Sequence, residues 1–277
     1  MHTPLRILIT GVSSGFGQAL ARQALHEGHT VVGTVRSAQA LADFEQLHPQ
    51  RAIGRRLDIT DTAAIAGTVA GIEAQVGAID VLVNNAGYGQ EGILEESALQ
   101  DMRQQFETNV FGAVAMIQAV LPQMRARRSG RILNITSMGG FITLPGISAY
   151  CGSKFALEGI SETLAQEVEG FGIHVTAVAP GSFRTDWAGR SMQRAPRSIA
   201  NYDALFDPIR QAREAKRGRQ LGDPAKAAQA MLQLITHPAP PRHLLLGSDA
   251  LQHVRDKLAR LAAEIDAWDA LSRSTDG

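Results

Sequence analysis

Apolar residues recur along this chain in two rhythms. Short runs rich in β-branched residues, apolar at consecutive positions as in Ile7-Leu8-Ile9 and Val81-Leu82-Val83, predict strands at 6–10, 30–35, 51–57, 81–84, 131–136, 174–178 and 243–246. A strand that is apolar on both faces is one buried on both faces. Between these runs the apolar positions recur every three or four residues, which predicts helices at 15–27, 38–47, 61–76, 99–127, 148–170 and 224–236. This alternation predicts an α/β fold, a doubly wound and mostly parallel seven-stranded sheet with helices on both faces. No internal repeat or low-complexity linker breaks the pattern, so residues 1–277 read as a single domain.

Two stretches depart from the alternation. Residues 182–222 follow a strand without reaching a clear helix, and carry Trp187, Met192, Tyr202, Phe206 and a basic group from Arg210 to Arg219. A long insertion at the carboxyl end of a strand is usually functional, and this one reads as a substrate-binding loop or lid. Its basic group reads as a solvated helix face ahead of a guide for acidic substrates. Residues 250–271 carry Leu251, Val254, Leu258, Leu261, Ile265 and Trp268 at helical spacing. The stripe predicts an end helix packed on the body, with a subunit contact or a pocket wall as alternatives.

Composition narrows the classes. The 277 residues are 44% hydrophobic and 19% charged, and 27 basic residues cancel 27 acidic ones. Balanced charge gives no electrostatic case for nucleic acid or an anionic membrane. A single cysteine, Cys151, allows no internal disulfide and fits a reducing compartment. The first residues run directly into the first strand with no signal-peptide pattern, and no run spans a bilayer, so the expected location is cytoplasmic. The eight histidines show no metal-ligand spacing, and no metal is predicted.

Candidate chemistry collects at the carboxyl ends of the predicted strands, where open α/β sheets bind ligands. Thr10-Gly11-Val12-Ser13-Ser14-Gly15-Phe16-Gly17 follows the first strand and opens the first helix. Unsatisfied N–H groups there, beside the positive end of the helix dipole, suit a pyrophosphate. No P-loop lysine follows. The second strand ends in Val35-Arg36, with no carboxylate to bind a ribose diol; Arg36 would pair with a 2′-phosphate, favouring NADP(H), with NAD(H) possible. Asp58-Ile59 ends the third strand, where a carboxylate can accept from an adenine amine. Asn84-Asn85-Ala86-Gly87 ends the fourth as a small-residue turn. Tyr150 and Lys154 stand one helical turn apart on one face, with Ser137 and Asn109 upstream. An ammonium near a phenol favours the phenolate and lowers its pKa, which would make Tyr150 a proton donor and acceptor.

Together these residues resemble the short-chain dehydrogenase/reductase family, whose members share a Rossmann-type fold, in its subgroup of roughly 250-residue chains. Thr10–Gly17 matches its T-G-x-x-x-G-x-G loop, Asn84–Gly87 its N-N-A-G turn, Tyr150–Lys154 its Y-x-x-x-K, and Pro180-Gly181-Ser182-Phe183-Arg184-Thr185 its P-G-x-x-x-T segment. Val35-Arg36 and Gly247–Ala250 look most like the 17-beta-hydroxysteroid dehydrogenase-like branch. The resemblance implies hydride transfer between nicotinamide and a carbonyl or secondary alcohol. It makes Tyr150 the general acid/base, Lys154 the holder of the nicotinamide ribose, Ser137 the group polarising the carbonyl, and Asn109 the holder of a relay water. Pro180, Gly181, Phe183 and Thr185 would then meet the nicotinamide. Phe141, Leu144, Phe183 and Trp187, with Met192, are candidates for an apolar pocket taking a hydrophobic ketone or aldehyde. Family members pair through two long helices, here 99–127 and 148–170, implying a homodimer or homotetramer. Competing readings are an NADP(H)-sensing binding protein, which the intact Tyr150–Lys154 pair argues against, and an epimerase or dehydratase retaining NAD.

Overall fold

The computed structural model describes residues 3–189 and 191–277. β1 (Arg6–Thr10) leads into α1 (Gly15–His26), β2 (Thr30–Val35) into α2 (Ala38–Glu45), and β3 (Ala52–Arg56) into α3 (Thr62–Val76). β4 (Val81–Asn84) and a short β5 (Gly89–Glu91) precede α4 (Leu99–Phe106), a π-helical turn (Glu107–Phe111) and α5 (Gly112–Arg127). β6 (Gly130–Ile135), α6 (Ser148–Val168) and β7 (Ile173–Pro180) follow, then β8 (Met192–Arg194), α7 (Asp203–Ala215), α8 (Pro224–Thr236) and β9 (His243–Leu246). α9 (Ser248–Ala267) and α10 (Asp269–Arg273) end the chain.

Seven strands form one parallel sheet in the order β3-β2-β1-β4-β6-β7-β9. Consecutive residues of each central strand feed opposite faces, because side chains alternate along a strand. In β1, Ile7 and Ile9 enter an apolar layer with Leu20, Ala24, Met231 and Ile235 of α1 and α8. Leu8 enters the other layer, with Ile65 and Val69 of α3, Met116 and Val120 of α5, and Leu164 of α6. The consecutive apolar runs therefore serve two cores. Helix starts follow their sequence signals: Asp61 Oδ1 accepts from Ala64 N at 3.3 Å to cap α3, and Asp223 Oδ1 accepts from Ala225 N at 2.8 Å before Pro224 opens α8. Strand order reverses between β1 and β4, which opens a crevice at their carboxyl ends.

Two expectations change. Residues 182–222 are not an irregular loop: they hold β8, which pairs in parallel with β5, and α7. Three-residue strands are too short to show alternation, and α7 buries Phe206 alone and contains Pro208, so neither stood out. Arg190, within this stretch, lies outside the described residues, as do Met1 and His2 at the start of the chain. The end helix is also not packed along its stripe. Ala250 and Val254 are buried, whereas Leu258, Leu261, Ile265 and Trp268 are exposed, because α9 runs on past the edge of the body. Among the described residues no helix is long and apolar enough to cross a membrane.

Candidate active site

Of the predicted site residues, all but Gly17, Asn109, Phe141 and Met192 line one cleft of about 1170 Å³ at the carboxyl ends of the strands. Gly11 and Gly15 take φ of +74° and +58°, backbone that side chains rarely adopt. Gly17 faces inward instead: a Cβ there would strike the Gly11 carbonyl, so helix α1 can seat against the loop only through glycine. The Asn85 amide donates to the carbonyls of Thr10 and Gly11, both at 2.9 Å, and Thr10 Oγ1 accepts from the Asn85 and Ala86 amides at 2.9 and 3.0 Å. The Asn85 side chain therefore braces the glycine loop across the β1–β4 crevice.

Arg36 is exposed at the end of β2 and lines the cleft. Nearby, burial pushes the Asp58 carboxyl up, but hydrogen bonds from Thr60 and the Arg36 charge outweigh it and leave the group below its ordinary value. Opposite the loop, the Pro180–Ser182 turn is held by Asp249, whose Oδ2 accepts from Ser182 N at 2.7 Å. Phe183 meets Phe16 edge-on, 5.1 Å between ring centres, and packs over Gly222. A Cβ on Gly15 would stand 3.8 Å from the Thr185 side chain. The strip between them is a cradle with backbone on one wall and few side chains in the way, which fits a dinucleotide phosphate.

Tyr150 and Lys154 project from the first turns of α6, both buried. The Ser137 hydroxyl accepts from Gly139 N at 3.0 Å and lies near the Tyr150 ring beside Gly139. Lys154 Nζ donates to Ile135 O at 2.8 Å and lies 5.8 Å from the centre of the phenol ring. The expected acidification of Tyr150 does not occur. Burial pushes the phenol up to about 12 against the pull of Ser137, and the Lys154 ammonium, 5.8 Å from the ring centre, does not offset it. Burial likewise lowers Lys154 to about 8, with the charge of Glu158 opposing the drop.

Asn109 sits in the π-helical turn, a feature that often marks functional sites. Its amide donates to Tyr88 O and to Ser153 Oγ, both at 3.1 Å, while its oxygen accepts from Tyr88 N at 3.1 Å. Asn109 thus ties the chain after β4 to α6 behind Lys154, with its side chain outside the cleft. Phe141 is also misplaced by the sequence reading: it packs edge-on against His243, 5.6 Å between ring centres, and Ile142 lines the cleft in its stead. Met192 packs with Trp187 against Gly89. Trp187 stands 5.0 Å from Tyr150 and forms an apolar wall with Ile147, Leu144 and Ile209.

Three groups escaped the sequence reading. Glu158 lies one turn beyond Lys154 on the same face of α6, buried, hydrogen-bonded to Thr136 Oγ1 and 2.8 Å from His243 Nδ1. The Tyr150–Lys154–Glu158 spacing was its available signal. Asp249 and Glu91 carried none. Glu91 is buried and gathers Arg194, Arg210 and Arg213, which ties two members of the basic group to the body, while Lys216, Arg217 and Arg219 are exposed. Among the described residues no group of three His, Cys, Asp or Glu is placed to hold a metal ion.

Comparison with known proteins agrees with this geometry. A sequence model of the short chain dehydrogenase family matches residues 6–195. Oxidoreductase BOA17 of Botryotinia fuckeliana is 37% identical over 265 residues, covering 95% of this chain and 96% of that protein. A 3-ketodihydrosphingosine reductase of Bacteroides thetaiotaomicron is 36% identical over 250 residues, 88% of each chain. The crystal structure of a short-chain dehydrogenase from Streptomyces avermitilis superposes with a TM-score of 0.92 at 42% identity, over 99% of this chain and 100% of that one. A seven-stranded parallel sheet, a glycine-rich crevice at its switch point and this breadth of similarity have one common account: the chain belongs to the short-chain dehydrogenase family of oxidoreductases.

Proposed function

We propose that the protein is an NADP(H)-dependent carbonyl reductase, in reverse an alcohol dehydrogenase, acting on a hydrophobic ketone or aldehyde. The observation that carries this reading is the buried Tyr150 phenol, near Ser137 and one turn from Lys154, in the cleft that the glycine loop opens. The backbone of residues 11–16 would hold the pyrophosphate, Arg36 the 2′-phosphate, and Lys154 the nicotinamide ribose. When bound, the nicotinamide supplies or accepts the hydride.

The chain's own residues handle the oxygen and its proton. Ser137 Oγ and the Tyr150 phenol together hold a carbonyl oxygen, and both donate most strongly as negative charge develops on it. Tyr150, protonated at neutral pH, gives its proton to the nascent alkoxide. The Lys154 ammonium then stabilises the phenolate left behind. Asn109 keeps α6 and the chain after β4 in register, so that this geometry survives thermal motion.

Ile142, Leu144, Ile147, Trp187 and Ile209 favour an apolar body beside the reacting carbonyl. Two atoms of cleft residues, Trp187 Nε1 and Gln220 Oε1, are buried without a hydrogen-bond partner, and a polar substituent on the substrate would meet them only after a shift of those side chains. The relative that reduces 3-ketodihydrosphingosine supports a substrate of this amphipathic kind. Tyr150→Phe is expected to keep NADPH binding, read by fluorescence titration, while turnover across a panel of apolar ketones and aldehydes drops by roughly 10²–10⁴-fold. Wild-type turnover in that variant would remove Tyr150 from the mechanism. Stoichiometric NADPH binding by the wild type, with no turnover on the whole panel, would point to a sensor.

A further inference from the structure

The stripe on the terminal helix has a more specific pattern than helical spacing. Leu251, Val254, Leu258, Leu261, Ile265 and Trp268 alternate in steps of three and four, the heptad seam of a coiled coil. Val254 anchors the start of α9 on the body at 2% exposure, whereas Leu258, Ile265 and Trp268 are 54%, 61% and 61% exposed. The charges around this seam are segregated. Between 255 and 260 lie Arg255, Lys257 and Arg260 with Asp256 the one acid among them; Glu264, Asp266 and Asp269 follow, and the only basic residue beyond them in the arm, Arg273, is paired with Asp269.

An antiparallel copy of the same helix complements this order of charges. It sets the basic half of one chain against the acidic half of the other and joins the two seams about a twofold axis near Leu261. We infer that the α9–α10 arm is a self-association surface whose occupant is the same arm of a second copy of this chain, antiparallel. Such a contact is separate from any pairing through α4, α5 and α6, and adds one association step. A lipid surface fits less well: membrane-surface helices carry a cationic polar face, and half of this one is acidic. With under three heptads, the seam belongs at the small end of stable interfaces, so association in the micromolar range is expected.

Two charge-reversed forms of the full chain test this by sedimentation velocity. Lys257→Glu/Arg260→Glu makes residues 255–269 predominantly acidic, with Arg255 the one cation left among them, and Glu264→Lys/Asp269→Lys makes them predominantly basic. Each alone should have half the wild-type mass at micromolar concentration, and their equimolar mixture should recover the wild-type mass. Leu258→Ser/Ile265→Ser, which removes the seam and keeps the charges, should also halve the mass. All of these positions lie outside the cleft, so thermal unfolding should remain cooperative. Wild-type mass in the reversed forms, or halved mass that mixing does not restore, would overturn the inference. So would wild-type protein that floats with phosphatidylcholine–phosphatidylserine vesicles while its mass ignores the substitutions.

Discussion

At neutral pH a phenol pushed up to about 12 holds its proton, and an ammonium lowered to about 8 is still mostly charged. In the proposed mechanism that pair is set for reduction: the acid is loaded, and the cation that would stabilise its conjugate base is present. As pH rises through about 8 the Lys154 charge is lost, so kcat/KM for carbonyl reduction should be level below that point and fall above it. The reverse oxidation needs the phenolate and the ammonium together, so it should rise with pH up to about 8 and level off above it. Reduction that stays level to pH 10 would separate Lys154 from the proton transfer. Glu158 opposes the lowering of Lys154, so Glu158→Gln should move the alkaline limb to lower pH and reduce activity at pH 8 by roughly threefold, with less change at pH 6. A uniform loss at both pH values would mean only a packing defect. Tyr150, Lys154, Ser137 and the glycine loop were legible as spacing, because helix periodicity and turn chemistry are local. The direction of the Tyr150 shift was not, because burial is a property of the assembled fold.

Between residues and fold stands the covering segment, fastened to the body at both of its ends. β8 pairs with β5 from Met192–Gly89 to Arg194–Glu91, and Glu91 then collects Arg194 and Arg210 at 3.3 Å as well as Arg213. Glu96 adds a second tie, with its carboxylate accepting from Ser198 N at 2.6 Å, Ile199 N at 2.7 Å and Arg197 Nε at 2.8 Å. Phe206 closes the segment against Gly146, whose φ of +76° leaves room for the ring. Sequence patterning could not expose these links: they join positions about a hundred residues apart through single side chains. Removing the Glu91 charge leaves three guanidinium groups facing one another. Glu91→Gln should therefore destabilise the segment by about 2 kcal/mol, the arginines being partly exposed. The measurable results are faster limited proteolysis within 192–219 and a higher KM for an apolar carbonyl, with cofactor affinity nearly unchanged. Equal loss of cofactor and substrate affinity would show that Glu91 supports the whole cleft.

For the molecule as a whole, the decisive fact is that the cleft straddles the reversal in strand order between β1 and β4. The glycine loop, Arg36 and Asp58 come from the β1–β3 half, while Gly87, Ser137, Tyr150, Lys154 and Thr185 come from the β4–β7 half. Strand–helix alternation made this architecture readable in advance, since each buried strand carries its own signal. A ligand lying across the crevice contacts both halves and exists only on the folded chain, so it should stabilise the two together. At a free concentration about one hundred times Kd the gain is about 2.7 kcal/mol. In a chain of 277 residues that raises Tm by roughly 5 °C in one cooperative transition. NADPH should reach this shift at lower concentration than NADH, because the Arg36 guanidinium meets a second phosphate only in the former. Arg36→Ala should cost NADPH roughly tenfold or more in affinity and NADH little, erasing the difference between their thermal shifts. Should both cofactors lose affinity equally, the arginine acts through the shape of the loop after β2, and the preference must be carried by the backbone of residues 11–16.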